Sequence, residues 1–271
     1  SQDAVRDAAP RRERFPLVAF SHGFGGHRRQ TTFLCTHLAS HGYVVAAVDH
    51  TGNTMIDILQ MVMALQSGGE MPEPLGILDE FIRLRPEDIG FMIEQVAAAP
   101  EIGPLADLDR IGMTGHSFGG WTTLAYTGRD PRVRAALPLA PAGGRTHMPA
   151  EPLRAALDLD WGRDVPTLYL VADGDSLLPL DGMRELLERT RSPKRMVVLK
   201  KSDHMHFCDR VEEVHEMFRT MPPPGAFADV ARNVPPIADL CPGEHAYRFV
   251  RGLGLAHMDA HLKGSESAAQ F

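Results

Sequence analysis

The stretch Gly115-His116-Ser117-Phe118-Gly119-Gly120 sets a serine two residues from a glycine on either side. An apolar run, Arg110-Ile111-Gly112-Met113-Thr114, leads into it, and a helix-like run from Trp121 to Tyr126 leads out. Strand, sharp turn, helix is the context that a G-x-S-x-G nucleophile elbow requires. Such a turn strains the backbone at Ser117, and the small neighbours Gly115 and Gly119 leave room for it. The Phe118 N–H then sits at a helix N-terminus, where positive potential gathers, and can donate to a developing oxyanion. A serine hydroxyl attacks a carbonyl carbon only with a base within hydrogen-bond reach. Imidazole suits that task near neutral pH, and a buried carboxylate fixes its tautomer.

Candidates for both partners follow Ser117 in the chain. Asp173-Gly174-Asp175-Ser176-Leu177-Leu178-Pro179 comes after the apolar run Pro166–Ala172. Asp175 is the favoured acid, because Ser176–Pro179 can carry it toward a histidine. Asp173 reads as a turn residue bonded to local backbone. Lys201-Ser202-Asp203-His204-Met205-His206-Phe207 comes after Arg195–Leu199. His204 and His206 are both candidate bases, since residues two apart in an extended loop face the same side. The unused one lines the pocket or caps a backbone group. A second glycine-rich turn, Ser21-His22-Gly23-Phe24-Gly25-Gly26, follows the strand Phe15–Phe20. It offers a second oxyanion donor, the Phe24 N–H. His22, Gly23, His116, Trp121, His206, Met55 and Leu59 complete the candidate pocket. Neither a metal nor a cofactor is expected. No carboxylate or cysteine set with ligand spacing accompanies His204 and His206. His257 and His261, four apart on the last helix, read as an exposed face.

These turns need a scaffold, and the chain supplies one. Strands are expected at Phe15–Phe20, Tyr43–Asp49, Arg110–Thr114, Val133–Leu139, Pro166–Ala172 and Arg195–Leu199, with helices between most of them. Continuous apolar runs such as Tyr43–Val48 are typical of buried parallel strands. Strands alternating with helices make an α/β fold, a mostly parallel sheet covered on both faces, with the chemistry at the carboxyl ends of the strands. Arg85-Pro86-Glu87-Asp88 reads as the start of a helix, with proline in its first turn. Residues 1–14 read as a poorly ordered polar arm and 15–271 as a single domain. Lid-like insertions are expected at about 54–81 and 209–243. The first is rich in Met, Ile and Leu and would form an adaptable apolar wall.

The 271 residues carry a net charge of −7, which argues against a nucleic-acid partner. No apolar run approaches the roughly 18 residues of a membrane span, and no secretory signal is visible. A soluble protein is expected, cytoplasmic in slight preference to secreted. Among the three cysteines, Cys208 and Cys241 flank the second insertion. They can pair, or all three thiols can be reduced, with Cys35 on the buried face of the first helix.

With these residues in place the chain resembles serine esterases of the α/β-hydrolase superfamily. It is most similar to platelet-activating-factor acetylhydrolases and dienelactone-hydrolase-like esterases, and less so to cutinase-like polyester hydrolases. The stretches that carry the resemblance are Phe15–Gly26, Leu38–Asp49, Arg85–Asp88, Gly115–Gly120, Asp175–Pro179 and His204–Asp209. In the acetylhydrolases the catalytic histidine begins an H-x-x-F-x-D run, which His204, Phe207 and Asp209 match. In the polyester hydrolases it directly precedes a phenylalanine, which would select His206. The family has two further strands before the first one here, so the sheet should lack those edge strands. Dienelactone hydrolases use a cysteine where this chain has Ser117.

The resemblance and the residues imply a carboxylic-ester hydrolase acting through an acyl-enzyme on a small-molecule or polymeric ester. Ser117, Asp175 and His204 would be the triad, with the Phe24 and Phe118 amides as the oxyanion hole. A thioesterase or lactonase would use the same machinery. A sensor that keeps the fold and binds ligand without turnover is the reading from another class.

Overall fold

The computed structural model describes residues 5, 7–9, 11, 13–66, 74–223 and 225–270. Half of the expected arm over 1–14 therefore lies outside the described residues, and so do positions 67–73 of the first insertion. Six strands form one all-parallel sheet: β1 (Phe15–Ser21), β2 (Val44–Val48), β3 (Ala106–His116), β4 (Val133–Leu139), β5 (Thr167–Ala172) and β6 (Lys194–Leu199). Their spatial order is β2-β1-β3-β4-β5-β6. Among the described residues no strand precedes β1.

Alternation along the strands divides the core into two layers. Leu168, Leu170 and Ala172 of β5 face a cluster that contains Leu34 and Leu38 of α1 (Thr32–Ser40). The same cluster holds Val250, Met258 and Leu262 of the last helix, Gly243–Leu262. Tyr169 and Val171 point the other way, toward Trp121 and Leu124 of the helix that follows the elbow. β5 is thus buried on both faces, as an interior strand of a parallel sheet is.

α2 (Met55–Gln66) and α3 (Pro74–Ala98) follow β2. The helix expected to open at Pro86 starts earlier, and Pro86 lies well inside α3. An interior proline removes a backbone hydrogen bond and costs about 3 kcal/mol or more. Burial on either side offsets this: Phe81, Ile89 and Ile93 are in the core and Arg85 is wholly buried. The first insertion therefore merges into a core helix instead of standing apart from it.

α4 (Phe118–Arg129) follows β3 directly, α5 (Glu151–Ala155) lies between β4 and β5, and α6 (Leu180–Arg189) links β5 to β6. The second insertion contains α7 (Val211–Thr220) and α8 (Ala226–Ala231), before α9 (Gly243–Leu262) closes the chain. His257 is not on an exposed face of α9. It is half-buried, and its Nε2 lies 3.0 Å from the Ala136 carbonyl of β4. His261, one turn further on and about 40° round the helix, is exposed.

The three cysteines are free thiols. Cys208 Sγ accepts from Gln30 Nε2 at 3.1 Å, while Cys241 Sγ lies 3.4 Å from Ser202 Oγ, so the Cys208–Cys241 bridge does not form. Cys35 is half-buried. No helix among the described residues is long and apolar enough to cross a membrane.

Candidate active site

Register brings the two glycine-rich turns together. Ser21 of β1 pairs with Gly115 of β3, so both chains leave the sheet side by side. Ser117 then adopts φ 59° and ψ −118° as it enters α4, a left-handed conformation that a side chain rarely takes. The close approach explains the glycine pattern. A Cβ at Gly119 would stand 1.9 Å from the Ser21 carbonyl oxygen. A Cβ at Gly23 would stand 3.3 Å from that of Ser117. The Phe24 segment therefore runs directly against the serine. Phe118 is the first residue of α4, and its N–H has no acceptor within the helix.

The acid and the base come from neighbouring strands, in register at Ala172 and Leu199. His204 Nδ1 lies 2.8 Å from Asp175 Oδ2, with both residues buried. The other carboxylate oxygen accepts from the Leu177 and Leu178 amides at 3.0 and 2.7 Å, so Asp175 is held from two sides. Burial works to lower the His204 pKa, but the charge and hydrogen bond of Asp175, with the charge of Asp203, outweigh it, and the net shift is upward.

His206 is engaged elsewhere. Its Nδ1 accepts from the Asp203 N–H at 2.9 Å, so the proton resides on Nε2, which donates to the Cys241 carbonyl at 3.0 Å. Both ring nitrogens thus serve backbone, and burial lowers the pKa. Asp173 is a turn residue whose Oδ1 accepts from the Ser202 N–H at 3.2 Å.

The remaining candidates are divided between surface and interior. Phe24, Met55 and Leu59 are exposed. So are Ile56 and Met63, whereas the side chains of Met61, Val62 and Leu65 lie outside the described residues. α2 is tied to the turn through the Met55 N–H, which donates to the Gly26 carbonyl at 3.2 Å. Phe24 stacks on Phe227 of α8 with ring centroids 6.1 Å apart, so the second insertion reaches the turn. His22, His116, Trp121 and His206 are buried behind the site instead of lining an open pocket. The reason is their polar atoms, which are used internally. Trp121 Nε1, for example, donates to the Leu153 carbonyl at 2.8 Å. His22 Nε2 accepts from the His50 N–H at 3.0 Å, leaving Nδ1 to donate to Gly23 O at 2.7 Å. Burial, with Arg85 and His50 nearby, brings the His22 pKa down to about 3.

Several residues that bind the site together are not among the candidates drawn from the sequence. Gln30 Oε1 accepts from the Gly23 N–H at 2.7 Å, which fixes the orientation of its amide. Nε2 then donates to His116 Nδ1 at 2.6 Å, and His116 Nε2 donates to the His204 carbonyl at 3.0 Å. Asp203 joins the acid loop to the base loop by accepting from Ser176 N at 3.0 Å and from the His204 N–H. Its capping pattern, an aspartate three residues before His206, was the available signal. Beneath the turn, Ser21 Oγ lies 2.8 Å from His50 Nε2, and His50 Nδ1 lies 2.7 Å from Asp88 Oδ2.

Among the described residues no group of three or more His, Cys, Asp or Glu side chains is placed to hold a metal ion. The arrangement provides a strained serine at a helix N-terminus, a histidine oriented by a buried carboxylate, and two amide-bearing turns converging on that serine.

Comparison with known proteins agrees with this fold. The family model for platelet-activating factor acetylhydrolase, isoform II, matches residues 3–77, which end before the elbow. The platelet-activating factor acetylhydrolase of Canis lupus familiaris is 28% identical over 161 residues, covering 47% of this chain and 35% of that protein. Cutinase 2 of Thermobifida cellulosilytica is 29% identical over 167 residues, covering 61% of this chain and 50% of that protein. The chain thus aligns with about a third to a half of the length of these curated relatives. The solved structure of a ferulic acid esterase from Streptomyces cinnamoneus superposes with a TM-score of 0.66 at 28% identity, over 96% of this chain and 71% of that one. The chain has an α/β-hydrolase fold and is similar, in sequence and in structure, to these esterases.

Proposed function

We propose that the protein hydrolyses carboxylic esters through an acyl-enzyme, with Ser117 as nucleophile, His204 as general base and acid, and Asp175 as the group that orients His204. The observation that carries this reading is the buried 2.8 Å contact between His204 Nδ1 and Asp175 Oδ2, alongside the strained Ser117 turn. Asp175 keeps the proton of a neutral His204 on Nδ1, so Nε2 is free to take the Ser117 proton. Ser117 Oγ bonds to the carbonyl carbon, and the carbonyl electrons move to an oxyanion held by the Phe24 and Phe118 amides. The imidazolium returns its proton to the leaving alcohol. Water then attacks the acyl-enzyme, with His204 again as base. Proposed relatives of the reaction are named for acetyl, cutin and ferulic esters. Their common element is the carboxylic ester bond, and that is the substrate class assigned here. The exposed Phe24, stacked on Phe227, supports an apolar acyl or aryl group beside the reacting carbon.

A fluorophosphonate should label Ser117 and abolish hydrolysis of p-nitrophenyl esters, and Ser117→Ala should resist labelling. The loss of kcat should be on the order of 10⁶, because triad members act as a unit. Full activity in Ser117→Ala overturns the reading. A series of aryl esters of increasing acyl length, run beside a thioester and a lactone, defines the substrate within the class.

A further inference from the structure

The peptide that joins His22 to Gly23 is held at both ends by side chains from distant parts of the chain. Its carbonyl accepts from Arg85 Nη2 of α3, and its N–H donates to Gln30 Oε1 at 2.7 Å. Arg85 is 0% exposed, and its guanidinium is spread over four partners. Nε donates to Thr122 Oγ1 at 3.0 Å, Nη1 to Asn53 Oδ1, and Nη2 to Ser21 Oγ at 3.2 Å as well as to the His22 carbonyl. The same guanidinium lies 4.4 Å from the centroid of the Phe118 ring. One side chain therefore touches both turns that carry the proposed oxyanion amides, the first at the His22–Gly23 peptide, one peptide before the Phe24 N–H, and the second at the Phe118 ring.

Burying a cation is expensive unless it is paired and fully hydrogen-bonded. The countercharge reaches Arg85 through neutral groups. Ser21 Oγ accepts from Arg85 and donates to His50 Nε2, and His50 Nδ1 donates to Asp88. Burial, then Arg85, brings the His50 pKa down to about 2, so the ring is the neutral link this chain of bonds requires. A core maintained only for packing would be better served by an apolar side chain in place of Arg85. What the guanidinium adds is direction, since a planar fork fixes the groups it binds.

Resting on the esterase reading, we propose that Arg85 and Gln30 are positioning residues that clamp the His22–Gly23 peptide, so that the Phe24 N–H is preorganised toward the oxyanion. The next peptide, which bears the Phe24 N–H, is held only from within the turn, its carbonyl accepting from His22 Nδ1 at 2.7 Å and the Gly26 N–H at 3.1 Å. Without the clamp the whole turn, with glycine on both sides of Phe24, is free to swing that amide away. The donor would then have to be reoriented in every turnover. Gln30 has a second task, since its amide also reaches His116 and through it the His204 carbonyl. The clamp thereby sets the distance between oxyanion turn and base loop.

The test uses Gln30→Leu and Arg85→Lys in the full chain. Removing a whole oxyanion donor costs about 10²–10³ in kcat, so loosening one should cost about 10–100-fold. The loss should fall on kcat with KM within about threefold, because the interaction is made in the transition state. Affinity for phenylboronic acid, which forms a tetrahedral boronate on the serine, should fall by the same factor as kcat. A residue that only stabilises the fold would lower the unfolding midpoint without moving this split. Unchanged boronate affinity in either folded variant overturns the proposal, as does a loss confined to KM. If Arg85→Lys does not fold, Gln30→Leu decides alone, since Gln30 is half-buried at the turn. If wild-type protein shows no Ser117-dependent hydrolysis or boronate binding, the esterase reading itself fails. If it shows both and Gln30→Leu retains them, the clamp alone fails.

Discussion

Replacing Asp175 by asparagine exchanges one oxygen for an NH2 and, on the triad reading, moves one proton. The structure dictates how the new amide must sit. Asp175 Oδ1 accepts two backbone N–H bonds, from Leu177 at 3.0 Å and Leu178 at 2.7 Å. An amide NH2 cannot accept, so the asparagine oxygen stays on those donors and the NH2 turns toward His204. His204 Nδ1 must then act as acceptor, its proton moves to Nε2, and the nitrogen that should receive the Ser117 proton is already occupied. Flipping the amide would restore the tautomer but leave two buried N–H groups unpaired, at about 1–3 kcal/mol each. The flip therefore costs about 2–6 kcal/mol, equivalent to a rate loss of about 30-fold to 10⁴-fold at 1.36 kcal/mol per decade. Loss of the charge that stabilises the imidazolium adds to it, so the expected fall in kcat is about 10⁴. Steady-state hydrolysis of p-nitrophenyl butyrate measures this, with thermal unfolding as the check on the fold. Asp173→Asn is the control, since that carboxylate serves the Ser202 amide. A loss below tenfold in folded Asp175→Asn refutes the reasoning, and so does a larger loss in Asp173→Asn.

The upward shift of His204 predicts the acid limb of kcat/KM. Hydrolysis needs the neutral ring, and a raised pKa extends the protonated form to higher pH, so at pH 6.5 the wild type should run below half its plateau; a limb well below 6.5 contradicts the assignment. His206→Ala should lower stability by about 1–3 kcal/mol through the loss of its bonds to Asp203 and Cys241, while retaining most of its turnover. A loss as large as that of His204→Ala would transfer the base role to His206. Thiol titration of denatured, unreduced protein should find three free thiols. One free thiol would restore the Cys208–Cys241 bridge.

The parts of the fold that were readable in advance are those governed by local pattern. Continuous apolar runs gave strands because a parallel sheet buries both faces, and Val133–Leu139 coincides with β4 to the residue. Glycines at Gly115 and Gly119 announced the elbow because no side chain fits against the Ser21 carbonyl. What stayed hidden depends on the third dimension. Gln30 is an unremarkable polar residue before a helix until register places Gly23 and His116 within its reach. Arg85 read as the flank of a proline-started helix, because the rule for proline is local and the burial that overrides it is not. The histidine pair shows the same limit. Sequence separation leaves His204 and His206 equivalent, and only the one-turn 3-10 segment over His204–Phe207 sends one ring to Asp175 and the other to the backbone.

A second serine–histidine–aspartate set lies beside the proposed triad, and on the triad reading the difference between them shows that residue type alone does not make a nucleophile. In this second set, Ser21, His50 and Asp88 are linked at 2.8 and 2.7 Å, distances that would satisfy any geometric search for a triad. Yet Ser21 and His50 are wholly buried, and Ser21 Oγ already accepts from Arg85. A buried hydroxyl at the end of a regular strand, with one of its two lone pairs given to a cation, is the weaker nucleophile and has no access to a carbonyl. Ser117 differs in its backbone. The positive φ lifts it out of the strand line to the N-terminus of α4, where the helix contributes positive potential. On the triad reading, chemistry at one set and scaffolding at the other come from the same three residue types. The buried set does its work as a neutral conduit between Asp88 and Arg85. At the proposed triad, glycine at positions 115 and 119 lets Ser117 stand where a strand residue cannot.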